Sequence, residues 1–294
     1  MKFMTRFWLT MAVVTLVTVT VLPALAQGGY KLRRVFKVND IRRYKMVMDM
    51  NGEMQMGENT MPLNMQMVMT YREKVAGIKE GKATVHTNIE SMKMYMNGQE
   101  FASPMAPDMS NMVITTVIDD RNKVHEIKGL EKVAMGTPGM GNMNFGTGFN
   151  APSMFPEGEV NIGDSWETEV PIPNAKDMKI SAKHTFVSVE KIGGTEAARI
   201  KTEFEIPFER LMAAIAATTG QTPAGMPSMT GTMKVVSYTY FDLATGNVLK
   251  MDGDMAMTVQ MQGGANPQMP QNMQMNMTAK MSLTQVREEQ PAGK

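Results

Sequence analysis

The stretch Met65-Gln66-Met67-Val68-Met69-Thr70-Tyr71 decides how the chain is read. Strand side chains alternate between faces with a period of two, so Met65, Met67, Met69 and Tyr71 share one face while Gln66 and Thr70 take the other. Residues 75–80, a turn at Gly81 and residues 83–96 follow, which predicts a second long strand running back along the first. The same alternation recurs in Tyr44-Lys45-Met46-Val47-Met48-Asp49-Met50, Met92-Lys93-Met94-Tyr95-Met96, Met255-Ala256-Met257 and Met273-Gln274-Met275-Asn276-Met277-Thr278. A helical period would scatter these methionines around the axis. One thioether face opposite an amide, hydroxyl and charged face is the pattern of antiparallel strands with one side buried and one in water.

Four pieces of this pattern return in the same order later in the chain. Met69-Thr70-Tyr71 aligns with His184-Thr185-Phe186, and Ala83-Thr84-Val85-His86-Thr87 with Ala198-Arg199-Ile200-Lys201-Thr202, both 115 residues on. Val38-Asn39-Asp40-Ile41 aligns with Ile162-Gly163-Asp164-Ser165 at the start of a strand. The turn 118–124 aligns with 241–248. Shared order points to duplication.

Residues 1–26 read as a secretory signal: Lys2 and Arg6, an apolar run over 7–22, then Ala24-Leu25-Ala26. That run of 16 residues is short for a membrane span, which needs about 20. Cysteine is absent from the sequence, which excludes a disulfide framework, a zinc–thiolate centre and a thiol nucleophile. Export without cysteine points to a bacterial periplasm or the extracellular space. Without the signal, 28 basic and 29 acidic residues nearly cancel. With no basic stripe, nucleic acid is not an expected partner, and no span is expected beyond the signal.

The expected organisation is a signal peptide at 1–26 and a first β repeat at 27–134. A Gly/Met/Asn linker follows at 135–155, then a second β repeat at 156–287 with a helix at 207–218, and a tail at 288–294. Pro207 and Glu209 at its start and an alanine-rich run to Gly220 argue for the helix. With no alternation of strand and helix, the fold class is all-β: a duplicated antiparallel sheet of ten to twelve strands, strongly curved or an open barrel, with one short covering helix. Two separate β domains joined by the linker are the alternative.

Thirty-six of 294 residues are Met, against 11 Leu. One account is substitution, with Met filling a core where other proteins use Leu. Yet burying a Met contributes about 1.5–3 kcal/mol, and freezing its torsions costs up to about 2 kcal/mol. The balance favours methionines that stay mobile along a groove, and Met suits surfaces that adapt to varied apolar ligands. An apolar small molecule, acyl chain or lipid is therefore a candidate ligand. Met46, Met48, Met67, Met69, Met94, Met275 and Met277 are the candidate lining, and the 207–218 helix or the 135–155 segment the cover. A second account is Cu(I), which soft thioethers select, although alternate residues on one strand lie about 6.5 Å apart. A structural envelope protein, or a sink for oxidants through Met sulfoxide, completes the alternatives. No cofactor is expected.

Catalytic chemistry finds little support. Asp119-Asp120 with His125 reads as a polar turn, as does Asp242 with Asn247 in the second repeat. His184 and Ser188 form no triad. Gly163-Asp164-Ser165-Trp166 lacks the Gly-x-Ser-x-Gly of a nucleophile elbow, so Asp164 is expected to cap a turn and Trp166 to pack at a strand start. The protein is expected to be no enzyme.

The element Val160-Asn161-Ile162-Gly163-Asp164-Ser165-Trp166, behind a signal peptide and a duplicated β pattern, resembles a family of bacterial exported proteins known as a domain of unknown function. The resemblance implies an exported β-rich protein and carries no functional residues. The wider architecture is similar to the open-barrel lipid carriers of the bacterial envelope, which implies an acyl chain held under a helical lid.

Overall fold

The computed structural model describes residues 28–100, 113–129, 155–172, 175–210, 228–262 and 272–286. They form twelve strands. The first six are β1 (Ile41–Met56), β2 (Asn59–Lys79), β3 (Lys82–Met96), β4 (Gln99–Glu100), β5 (Val113–Ile118) and β6 (Val124–Lys128). The second six are β7 (Ser165–Ile172), β8 (Ala175–Ile192), β9 (Thr195–Pro207), β10 (Ser228–Asp242), β11 (Val248–Gln262) and β12 (Asn272–Val286). The methionine alternation builds β1, β2, β3, β11 and β12 as expected. Two-residue turns with both central residues at positive φ join several neighbours: Glu80-Gly81, Asn97-Gly98 and Gly193-Gly194. Their backbone twist matches that of paired strands, and glycine at the second position enters the left-handed region without steric cost.

All twelve strands belong to one antiparallel sheet in the order β6-β5-β3-β2-β1-β12-β11-β10-β9-β8-β7, with β4 beside β3. It does not close: β6 and β7 are its edges. The chain starts at the centre, meanders outward to β6, crosses to the far edge and meanders back, so β1 pairs with β12. Each of β7, β8, β9, β10 and β11 lies six places along the sheet from β1, β2, β3, β5 and β6 respectively. β12 is the spacer between the two repeats.

Bulges fix the correspondence residue by residue. The register of β2 on β3 slips between Val75 and Gly77, and that of β8 on β9 between Phe186 and Ser188. The hydrogen bonds agree: Asn39 N to Val75 O and Val75 N to Asp40 O match Gly163 N to Phe186 O and Phe186 N to Asp164 O. Val75 is therefore the counterpart of Phe186. The sequence alignment of Tyr71 with Phe186 is four residues out, because it matched aromatic chemistry rather than bulge position. The alignments of 83–87 with 198–202 and of Ile118 with Phe241 agree with the pairing to β5 and β10.

Curvature is recorded by a strap, residues 30–40, that crosses one end of the sheet. Arg34 N donates to Asp120 O at 2.6 Å and Val35 N to Thr245 O at 2.8 Å. Consecutive residues thus reach the β5–β6 turn at one edge and the β10–β11 turn beyond the centre, which a flat sheet would hold far apart. Leu32, Phe155, Val160, Phe186, Ala198, Ile200 and Phe241 pack beneath this strap, and Val75, Ala83, Val85 and Ile118 form a smaller cluster beside it. The largest cluster, rich in Met, fills the concave face from Ile89 on β3 across to Ile206 and Phe208. Residues 208–210 are helical, while Pro207 closes β9 rather than opening the helix. The rest of the expected helix, the signal peptide, nearly all of the 135–155 linker and the tail lie outside the described residues.

Candidate functional site

Strand register turns the methionine alternation into rows that run across the sheet. Met92, Met69, Met46, Leu283 and Met251 stand in register on β3, β2, β1, β12 and β11. The next inward layers are Met94–Met67–Met48–Met281 and Met96–Met65–Met50–Ala279–Met255. Beyond them come Met277–Met257–Met233, then Met61–Met54–Met275, then Met273–Met261–Met229. Directly opposed residues in such pairs have Cβ atoms about 4.5–5.5 Å apart, so neighbouring thioethers along a row can touch.

The wall is graded. Toward the strap, Met46 and Met48 are sealed, the latter 0% exposed. Along β2, Met67 and Met65 are buried, Leu63 is half-buried and Met61 is 46% exposed. Met54, Met261, Met273 and Met275 are half-buried at the same far end, and Met94 is half-buried on the β3 side of the Met48 row. The opposite side of the sheet is polar: Gln66 donates to Asp49 at 2.7 Å, Arg43 meets Glu90 at 2.8 and 3.1 Å, and Lys234 meets Glu205 at 3.2 Å. An open groove of about 280 Å³ lies on this polar side between Asn51, Glu53, Ala256, Thr258, Asn276 and Thr278, while on the inner side the Met277 side chain folds over Gly52.

All seven candidate lining residues share the concave face. Met46, Met48, Met67 and Met277 belong to its packed part, while Met69, Met94 and Met275 are half-buried against it. The first two are the floor rather than the opening. Met54, Met61, Met229, Met261 and Met273 were not among the expected lining, although Met273 opens one of the alternating runs; their place in the rows depends on register.

A polar node closes the strap end. The Arg34 guanidinium, its side chain 10% exposed, reaches Glu73 at 3.3 Å, Asn247 at 3.3 Å and Asn122 at 3.4 Å, and Phe36 lies 5.3 Å from it. Arg42 donates to the same Asn247 oxygen at 2.5 Å and pairs with Asp40. Above the node Tyr44 and Tyr71 stack at 5.3 Å; burial, then the Glu73 charge, raises both phenol pKa values. Their hydroxyls stay protonated at neutral pH.

On β7 to β9 the inner wall changes chemistry. His184, 2% exposed, meets Thr168 at 2.7 Å through Nε2 and Thr202 at 2.9 Å through Nδ1, with Trp166 stacked on its ring at 5.5 Å. Burial lowers its pKa to about 4, so it is neutral. Ser237 and Thr239 continue this buried hydroxyl strip.

The turn readings hold. Asp119 accepts from the backbone N–H groups of Arg121 and Lys123 and meets His125 Nε2 at 2.9 Å. Burial raises this carboxyl, but those hydrogen bonds outweigh it and hold the pKa below the usual carboxylate range. Asp242 accepts from Ala244 N and Thr245 Oγ1. Asp164 accepts from Asn161 N at 2.8 Å, and Trp166 packs at the start of β7. Among the described residues no group of His, Asp and Glu is placed to hold a metal ion, and no helix is long and apolar enough to cross a membrane.

No protein-family model matches the chain, and no curated protein does. Among solved structures, it is similar to lipovitellin, studied for its lipid–protein interactions, at 10% identity and a TM-score of 0.46. That match covers 88% of this chain and 26% of the other, so the chain spans about a quarter of the lipovitellin chain. A DUF1329 family protein from Desulfovibrio piger matches at 7% identity and a TM-score of 0.18, over 86% and 88% of the two chains. An outer membrane lipoprotein-sorting protein domain from Vibrio parahaemolyticus matches at 11% and 0.15, over 85% and 87%. These likenesses are too distant to carry function.

Proposed function

We propose that the chain is an exported, non-enzymatic protein that binds an apolar ligand, an acyl chain or lipid, against the methionine wall. The observation that carries this is the gradient: rows of in-register methionines run from a sealed floor at Met46 and Met48 to an open end at Met54, Met61 and Met275. A wall meant only as core would be closed at both ends, since half-exposed Met gives up much of its burial energy. Unbranched thioethers re-pack at little cost around chains of different length. The polar convex face supports a ligand taken inside rather than a sheet set in lipid, where the outward band would be apolar. The non-enzymatic part rests on imidazoles already engaged: His184 by two threonines, His125 by Asp119.

Native mass spectrometry of gently purified protein, before and after addition of oleate, tests the reading. A co-purifying lipid mass, or a stoichiometric oleate adduct weakened in the Met94→Gln variant, is the expected result. A bare mass that excess oleate does not shift would sink it.

A further inference from the structure

The rim of the methionine wall differs from its floor in what its sulfurs touch. Met61, Met54 and Met275 stand opposite one another on three adjacent strands, β2, β1 and β12. Met275 touches the packed core, whereas Met54 and Met61 stand outside that cluster among the described residues. Met61 is the most solvent-accessible member of the row, and the other two are half-buried. All three residues thus keep surface open to a ligand arriving from water.

Cross-strand geometry removes the obstacle that spacing along a strand poses to metal binding. Successive same-face residues of one strand lie about 6.5 Å apart, but directly opposed residues have Cβ atoms about 4.5–5.5 Å apart. The outer two of three adjacent strands are about 10 Å apart, so flexible side chains leaning toward the central one can bring three sulfurs to a single point. Met273, two residues from Met275 on β12, stands beside the row as a fourth thioether. The donors in this row are neutral and soft, with no carboxylate or imidazole among them. Such a set rejects hard and borderline divalent ions and selects soft monovalent ones.

We propose that Met54, Met61 and Met275 form a thioether site for a soft monovalent metal ion, Cu(I) or its redox-inert analogue Ag(I), at the open end of the wall. The site lies apart from the floor at Met46 and Met48 and shares Met275 with the lining proposed for the apolar ligand. Binding involves no bond breaking and no electron transfer; each sulfur donates one lone pair to the ion.

The test is a titration of the full chain with silver nitrate in chloride-free buffer. It is followed by calorimetry and by the methyl resonances of ¹³C-labelled methionine, with anaerobic Cu(I) against a competing chelator alongside. One ion per chain at a Kd of about 1 μM or tighter, with shifts at Met54, Met61 and Met275 and none at Met48, is the expected result. The triple variant Met54→Leu, Met61→Leu, Met275→Leu should lose roughly tenfold or more in silver affinity while its urea unfolding midpoint stays close to that of the parent chain. The single Met61→Leu variant, at the most exposed member, guards against misfolding and should lose affinity in part. Unchanged affinity in both variants, shifts spread evenly over all methionines, or no saturable binding would each overturn the site.

Discussion

The two repeats share a skeleton and differ in filling. β2–β3 and β8–β9 carry the same bulge, at Val75 and at Phe186, and the same hydrogen bonds tie each strand start to it. Inside, β1 to β3 present sulfur, row upon row. β8 to β10 present Ala182, His184, Phe186, Thr202, Ser237 and Thr239, all buried. The stacked pair Tyr44 and Tyr71 corresponds by register to Thr168 and Ala182. Backbone devices set the path of the sheet, and the side chains were then free to diverge: β7 to β9 became a rigid anchor of rings and hydroxyls, while β1 to β3, β11 and β12 carry a wall of adaptable thioethers. Only the second kind suits a ligand of variable shape.

Breaking the link between the halves should cost most. Arg34→Ala removes the cation held by Glu73, Asn122 and Asn247 and leaves a partly buried carboxylate alone, a loss of about 4 kcal/mol. Urea unfolding measures it, and Arg34→Lys should recover only a part, since an ammonium lacks the planar fork.

The contrast in filling sharpens next. Phe186→Ala, in the anchor, should cost about 4 kcal/mol. Met48→Leu, on the sealed floor of the wall, should cost less than about 1.5 kcal/mol, because soft neighbours absorb a swap of near-equal volume. Comparable costs by urea unfolding would erase the distinction.

Acid should strike the anchor through His184. Its pKa of about 4 lies below the unfolded value near 6.5, so the unfolded chain takes up the proton first as pH falls. The stability from its neutral burial is full above about pH 6.5 and is lost toward pH 4, about 3 kcal/mol in all. His184→Gln should flatten that slope of unfolding free energy against pH. The smallest effect belongs to the rim, where Met61→Gln should change stability by no more than about 0.5 kcal/mol.

Much of this fold was legible because its main strands are polar on one side and methionine on the other. Alternation placed β3 nearly to its ends and β2 except for its first six residues, 59–64, and turn residues at 80–81 and 119–122 marked the reversals. Two things were not legible. Pairing of β1 with β12 joins segments more than two hundred residues apart, and period-two patterns are silent on partners. The gradient of the wall depends on that pairing: Met54 has the same local sequence signal as Met48, and only register makes one floor and the other rim. Arg34 was invisible for a related reason. Its partners come from β2 and two distant turns, and a lone arginine ahead of a strand carries no mark of burial.

The central claim is that the methionine wall receives an apolar ligand. Methyl resonances of ¹³C-methionine, followed as oleate is added, test it most directly. The account predicts saturable shifts at Met69, Met94 and Met275, with Met46 and Met48 moving little. A spectrum unchanged at excess oleate, or one perturbed uniformly over every methionine, would contradict it.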